Sequence, residues 1–240
     1  LSSDPNVDLI SFFILRTAED NPQVLSDDEL FLIPFPVQEI FQNQLGTFDL
    51  IVLQNFAYDD RAYRMSQYLK GIADYVESGG ALVMVGGDNS FGEGGYEHTE
   101  LGQVLPVIPT GLPPTAELFQ PRLTAEGQRH PVSMVAPTRE KSVEAWSKLP
   151  PIAGVHTVRA KEGSRVLLEH PFLTEGGENV PLVVLGEYGR GRVMALLSDS
   201  SWQWSFGEPS NGTGVRVYDR FWSNGIRWLL VSQKGRISSG

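Results

Sequence analysis

Asp88, Asn89 and Ser90 sit in a glycine-rich stretch, Gly86-Gly87-Asp88-Asn89-Ser90-Phe91-Gly92, directly after the apolar run Ala81–Val85. A strand that ends in glycines at the mouth of a sheet is where many α/β proteins place a nucleophile or a phosphate. Ser90 supplies the hydroxyl of this loop. A serine nucleophile needs a base beside it and donors for an oxyanion. His98 follows within the next turn of chain, and His130, His156 and His170 are scattered through the second half. The loop departs from a Gly-x-Ser-x-Gly elbow, because Asn89 precedes the serine and Asp88 stands where the first glycine belongs. Hydrogen bonding of Asn89 and Ser90 within the turn is the favoured role.

Phosphate binding is disfavoured. The glycines could present backbone N–H groups, but Asp88, Glu93 and Glu97 repel an anion and no Lys-Ser/Thr follows. The same three acids, with carbonyl oxygens, form a candidate site for a hard divalent cation. No EF-hand spacing is present, and no histidine pair has the helical spacing of a zinc site, so no cofactor is expected beyond such a cation. Asp199, in Ser198-Asp199-Ser200-Ser201-Trp202-Gln203-Trp204, ends a second apolar run. If its strand neighbours that of Asp88, the two carboxylates face one crevice, where they could act as acid and base or bind a cation or sugar hydroxyl. Capping of a following turn is the commoner fate of such aspartates. Trp202 and Trp204 beside Asp199 suit carbohydrate or peptide recognition, or pack over the core edge.

Composition narrows the classes. The 240 residues suit one domain of 1–240 with a substantial core. A net charge of −10 without a basic run argues against nucleic acid. The chain has no cysteine, which excludes disulfides, thiolate metal sites and a cysteine nucleophile. The longest apolar runs, such as residues 9–15, are too short to cross a bilayer, so no membrane insertion by this segment is expected. The acidic cluster of Glu19, Asp20, Asp27, Asp28 and Glu29 reads as a solvated face.

The elements that must hold these residues alternate through the first half. Strands are predicted over 7–15, 29–36, 48–56 and 81–85, and a helix over 37–45. A longer helix carries Ala62, Met65, Leu69, Ile72 and Val76 on one face, with Asp59 or Asp60 to cap it and Gly79-Gly80 to end it. Strand, helix and strand with short joints imply parallel pairing through right-handed crossovers. The α/β core is placed at 7–105. Prolines crowd the chain from Pro106 to Pro151, so 106–180 reads as a Pro-rich, β-containing excursion. Residues 181–231 return as a hairpin turning at Gly189-Arg190-Gly191 and a helix with Phe221, Trp222, Trp228 and Leu229 inward.

Together, the strand FDLIVLQN, the stretch YLKGIADYVESGGALVMVGGDNSFGEGGY, EGQRHPV, PLVVLGEYGRGRVMALLSDSSWQW and FWSNGIRWLL resemble the class I glutamine amidotransferase-like superfamily. Within it they are most similar to a branch of large bacterial membrane proteins, often found beside von Willebrand factor type A modules. The resemblance spans roughly 45–231. It implies an α/β, flavodoxin-like three-layer sandwich with a mostly parallel sheet and the site at the strands' carboxyl ends. Active members carry a cysteine in the turn after the strand that matches Ala81–Val85; here Asp88, or Gly87 in a slipped register, falls at that point. Ser198-Asp199-Ser200 stands where their histidine is delivered. The implied ligand crevice comprises Gln54, Asn55, Gly86, Gly87, Asp88, Asn89, Asp199 and Trp202. His130-Pro131 resembles a pair in relatives that are not glutaminases.

The function expected is a non-catalytic module for ligand sensing or protein interaction. Its partners would be other domains of a larger parent or other envelope proteins, with a small molecule as a further candidate, on the extracytoplasmic side. A hydrolase of sugars or amides using Asp88, Ser90 and Asp199, with a divalent cation, is the alternative. Phe91, Tyr96 or the tryptophans filling the crevice would favour the first.

Overall fold

A computed structural model describes residues 8–11, 36–58, 65–205 and 217–231. The strand predictions over 7–15 and 29–36 fall largely outside these residues. So do the Asp59 and Asp60 caps, Ala62 and the acidic cluster at 19–29.

Fourteen elements of regular structure follow, numbered in chain order: β1 Leu50–Gln54, α1 Leu69–Glu77, β2 Ala81–Val85, α2 Glu100–Val104, β3 Val107–Pro109, β4 Thr115–Phe119, β5 Arg122–Leu123, α3 Arg139–Ser147, β6 Ile152–Val155, β7 Val158–Ala160, β8 Arg165–Glu175, β9 Glu178–Tyr188, β10 Gly191–Leu196 and α4 Val217–Leu230. The main sheet runs β1-β2-β10-β9-β8-β5. Two-stranded sheets β3-β7 and β4-β6 stand apart from it.

β1 and β2 are parallel, joined through α1, and β2 pairs in parallel with β10. β10 with β9, β9 with β8 and β8 with β5 are antiparallel. The mostly parallel sheet expected from the sequence is therefore corrected within the described residues, to a mixed α/β fold on a largely sheet core. The cause is local. A turn of Gly189 and Arg190, with Gly189 at φ 57°, folds β10 back on β9, and Gly176-Gly177 does the same between β8 and β9. The segment expected as an excursion supplies β5 and β8 to this same sheet.

β2 is the centre. All five of its residues are buried, flanked on both edges and covered on both faces, as its unbroken apolar run requires. Burying each of Leu82, Val83 and Met84 contributes about 1.5–3 kcal/mol. α1 turns Leu69, Ile72, Ala73 and Val76 inward, following its predicted face, and its first turn, Met65–Tyr68, is a 3₁₀ helix. Residues 37–45 do not form the α-helix that their periodicity suggests. Glu39–Asn43 winds as a π-helix, with Leu45–Thr47 as a 3₁₀ turn, yet Ile40, Phe41 and Leu45 are still buried. In α4, Gly225 lies over the Met194 side chain of β10 at ordinary packing distance.

The β9–β10 turn also completes α1. Arg190 N–H donates to the Glu77 carbonyl at 2.9 Å and Arg192 N–H to that of Gly80 at 3.3 Å. A Cβ on Gly191 would lie 2.0 Å from the Val76 oxygen and 2.4 Å from that of Gly80. Both are backbone atoms, so no side-chain movement relieves the overlap. Gly191→Ala should lower the unfolding free energy by about 3 kcal/mol in urea titration, the upper part of the range for overpacking.

His130 and His170 are buried, with Nδ1 of each accepting backbone N–H groups, from Val132 at 3.2 Å and from Leu173 at 2.7 Å respectively. Burial lowers the pKa of both below the ordinary 6.5, and Arg165 adds to the effect at His130. The unfolded chain therefore binds more protons below pH 6.5 than the native one. Their contribution to stability is fully present above that pH and is lost as the pH falls. The thermal midpoint should drop between about pH 7.5 and about pH 5.5, with a shallower slope in His130→Asn, whose amide oxygen can still accept the Val132 N–H.

Candidate functional site

Gln54 ends β1, Val85 ends β2 and Leu196 ends β10, and parallel register places these three carboxyl ends side by side. The Asp88 and Asp199 turns therefore leave the sheet at one edge, as their strands' order requires. Contact between β2 and β10 continues past the last pair: Gly86 N–H donates to the Leu196 carbonyl at 2.8 Å. A Cβ on Gly86 would meet the Ser198 backbone at 2.9 Å, so glycine permits this approach.

The loop then turns back on β1. Gly87 has φ 140° and its α-carbon faces the Asn55 side chain. Asn55, itself left-handed at φ 46°, accepts through Oδ1 from the Asn89 N–H at 2.9 Å and the Asn89 amide at 3.0 Å. Asparagine tolerates this backbone region because its short amide bonds locally. The predicted loop-bonding role of Asn89 is thus met by an asparagine from a different strand.

Ser90 lies beneath the loop. It is buried, and its hydroxyl donates to the Val85 carbonyl at 2.8 Å. Among the described residues no hydrogen bond joins Ser90, Asp88 and Asp199. Asp88 is exposed on the turn, as is Asp199. Glu97 lies 3.5 Å from His98 on the surface. Among the described residues no three His, Asp or Glu side chains gather in a way that could hold a metal ion.

The imidazole that reaches the loop is His156, which no local sequence signal marks. It follows β6, and its side chain is 5% exposed. Gly87 N–H donates to its Nε2 at 3.2 Å, so Nδ1 carries the proton and gives it to Glu93 at 2.6 Å. Glu93, one of the three candidate cation ligands, holds the His156 ring in one tautomer. Phe91, at φ 51°, packs its ring 5.2 Å from that imidazole. Tyr96 donates its hydroxyl to the Phe56 carbonyl at 2.6 Å. Both aromatics are fully buried, filling the space under the loop.

Beside the loop a crevice of about 160 Å³ lies between the end of β1 and α4. Gln54, Asp199 and Trp202 line it, joined by Ser201 and, from α4, Tyr218 and Asp219. Asp88 and the glycines of the loop are not part of its wall. The two tryptophans separate: Trp202 is 52% exposed, while Trp204 is 2% exposed and packs edge-on to Trp146 at 5.3 Å and Phe221 at 6.1 Å. Burial raises the Tyr218 phenol pKa, with the nearby Trp222 N–H opposing it in part, so it remains a hydroxyl at neutral pH. The wall thus combines carboxylates, an amide, hydroxyls and aromatic surface, with no Lys or Arg.

The mixed sheet carries a glycine-lined turn at the carboxyl end of β2, and the chain belongs to the GATase1-like family, described as "Putative glutamine amidotransferase", which it matches over residues 38–231. Two solved structures from Salmonella typhimurium are similar. "Cytoplasmic Protein STM1381", from strain LT2, is 27% identical with a TM-score of 0.56, over 77% of this chain and 73% of that one. "Cytoplasmic Protein STM3548" is 25% identical with a TM-score of 0.57, over 82% and 76%. No curated protein matches the chain.

Removing the imidazole should loosen the turn. His156→Phe leaves the Gly87 N–H and the Glu93 carboxylate without their partner, a cost of about 1–3 kcal/mol. Faster amide hydrogen exchange at Gly87 through Gly92, with Ala81–Val85 still protected, is the expected signature.

Proposed function

We propose that this domain is a non-catalytic, glutamine amidotransferase-like binding module, built on the flavodoxin-like three-layer plan of its relatives and serving a larger bacterial envelope protein. The observation that carries the reading is the state of the turn. Gly87 and Asp88 occupy the elbow, and the imidazole that reaches it has both nitrogens engaged, one by Gly87 and one by Glu93. A cysteine-type mechanism needs a nucleophile with a free base beside it. Phe91 and Tyr96 filling the space beneath the loop support the same reading.

What such a module would recognise lies in the adjoining crevice. Asp199, Gln54, Ser201 and the Tyr218 hydroxyl present acceptors and donors beside the exposed face of Trp202. That combination suits a small polar ligand rich in hydroxyl groups, with an apolar face for the indole. The negative wall disfavours anions.

Two assays test this. The protein should release no ammonia from glutamine above a blank; release lost in His156→Phe would overturn the non-catalytic reading. In a thermal-shift panel of neutral sugars, glutamine, nucleotides and divalent cations, a sugar at a hundredfold its Kd should add about 2.7 kcal/mol of stability. Asp199→Ala should abolish that gain while leaving the unliganded midpoint within a degree or so. A panel without any shift would remove the ligand half of the reading and leave protein interaction.

A further inference from the structure

A second cavity lies apart from the crevice at the strand ends. A groove of about 730 Å³ opens between β4, β5, α3 and the middle of β8. Phe119, Trp146 and His170 form its buried wall, and Leu118, Val143 and Phe172 border it. Phe172 is 87% exposed, although it is a large apolar side chain. A volume of this order is typical of small-molecule sites, which combine mostly apolar walls with a few placed polar groups.

His170 is that polar group. It is 7% exposed, and its ring stacks at a tilt on Phe119, with centroids 4.3 Å apart. Its Nδ1 accepts the Leu173 N–H at 2.7 Å and the Phe172 N–H at 3.2 Å. A nitrogen that accepts two N–H groups carries no proton, so in the neutral ring the proton is on Nε2. That Nε2 has no hydrogen-bond partner among the described residues, yet it is not among the side-chain nitrogens sealed from solvent. Since His170 is otherwise covered and lines the groove, the N–H reaches solvent there. The irregular register of β8 between Glu169 and Thr174 sets this up, because it turns two consecutive amides of the strand onto the imidazole instead of onto β9.

The surrounding charges restrict what can bind. Arg122, the cation of the wall, is held by Glu169, and Glu117 adds a carboxylate to the lining. An anionic ligand would meet Glu117 with no free cation to offset it. An ammonium would meet an N–H donor at the buried wall. A neutral acceptor on an apolar body satisfies both conditions.

We infer that this groove is a second binding site, for an uncharged ligand that joins an aromatic or similarly apolar ring to a hydrogen-bond acceptor, with His170 Nε2–H as its reader. The ring lies against Phe119 and Trp146, and the acceptor takes the imidazole proton as a hydrogen bond. The site is independent of the crevice at the strand ends, so either can fail without the other.

The test uses long-range ¹H–¹⁵N spectra of the histidine side chains during titration with three probes of one shape: benzamide, toluene and benzoate. Benzamide should shift the His170 Nε2 resonance with saturation. Toluene and benzoate should each bind about tenfold more weakly. Val143→Phe, which fills the groove from α3 and leaves His170 intact, should abolish the benzamide response, and His170→Phe should reduce benzamide binding to the level of toluene. No response in folded wild type up to about 20 mM benzamide would overturn the proposal. Equal binding of toluene would overturn the role of His170, and an unchanged response in Val143→Phe would overturn the location.

Discussion

The pairing of β2 with β10 brings together segments more than a hundred residues apart, and the rest of the molecule is arranged around it. In register from Ala81–Arg192 to Val85–Leu196, it joins the strand-helix-strand opening to the antiparallel second half. Glycine at 86 lets the two chains stay in contact beyond the last ladder pair. The turn after β2, the turn after β10 and the crevice beside them all start from that shared edge. Each side chain of the candidate site is held by something rigid: Asn55 by the end of β1, Asp199 by the end of β10, and Tyr218 and Asp219 by α4 packed over Met194.

Much of this was legible in the chain. β2 declared itself as an unbroken apolar run ending in glycines, and α1 by its repeat of Leu69, Ile72 and Val76. The Gly189-Arg190-Gly191 turn marked the β9–β10 hairpin. These features follow from local chemistry: periodicity for the helix, backbone freedom for the turn. The direction of the remaining strands was not readable, because parallel and antiparallel strands bury the same apolar residues. It took the pairing of β8 and β9 to show that the proline-rich half belongs to the main sheet.

The site was legible in outline and illegible in its connections. The resemblance grouped Asp199, Gln54 and Trp202 with Asn55 and the glycine-rich loop; these three line a crevice whose wall does not include the loop. His156 could not be found in this way. Its link to Gly87 spans 69 positions and rests on tertiary packing of β6 against the turn, with no spacing to announce it. Glu93 was a candidate cation ligand because an acidic side chain in a loop offers oxygen; its bond to His156 had no signal in the sequence. The two tryptophans shared one motif, yet opposite sides of a single 3₁₀ turn sent Trp202 to the surface and Trp204 to the core.

The contact between α1 and the β9–β10 turn bears on how the polypeptide can be cut or lengthened. The Glu77 carbonyl that ends α1 meets the Arg190 N–H, and the Gly80 carbonyl just beyond it meets the Arg192 N–H, both from more than a hundred residues along the chain. Unless those amides are present, water must satisfy the Glu77 and Gly80 carbonyls, while those of Tyr75 and Val76 keep the local N–H groups of Gly80 and Gly79. The joint between α1 and β2 is therefore completed only when the second half of the chain docks. A nascent chain released after β2 holds this wholly apolar strand with one edge bare. Until β10 emerges and docks, this exposed edge is the part of the molecule most open to pairing with the wrong neighbour.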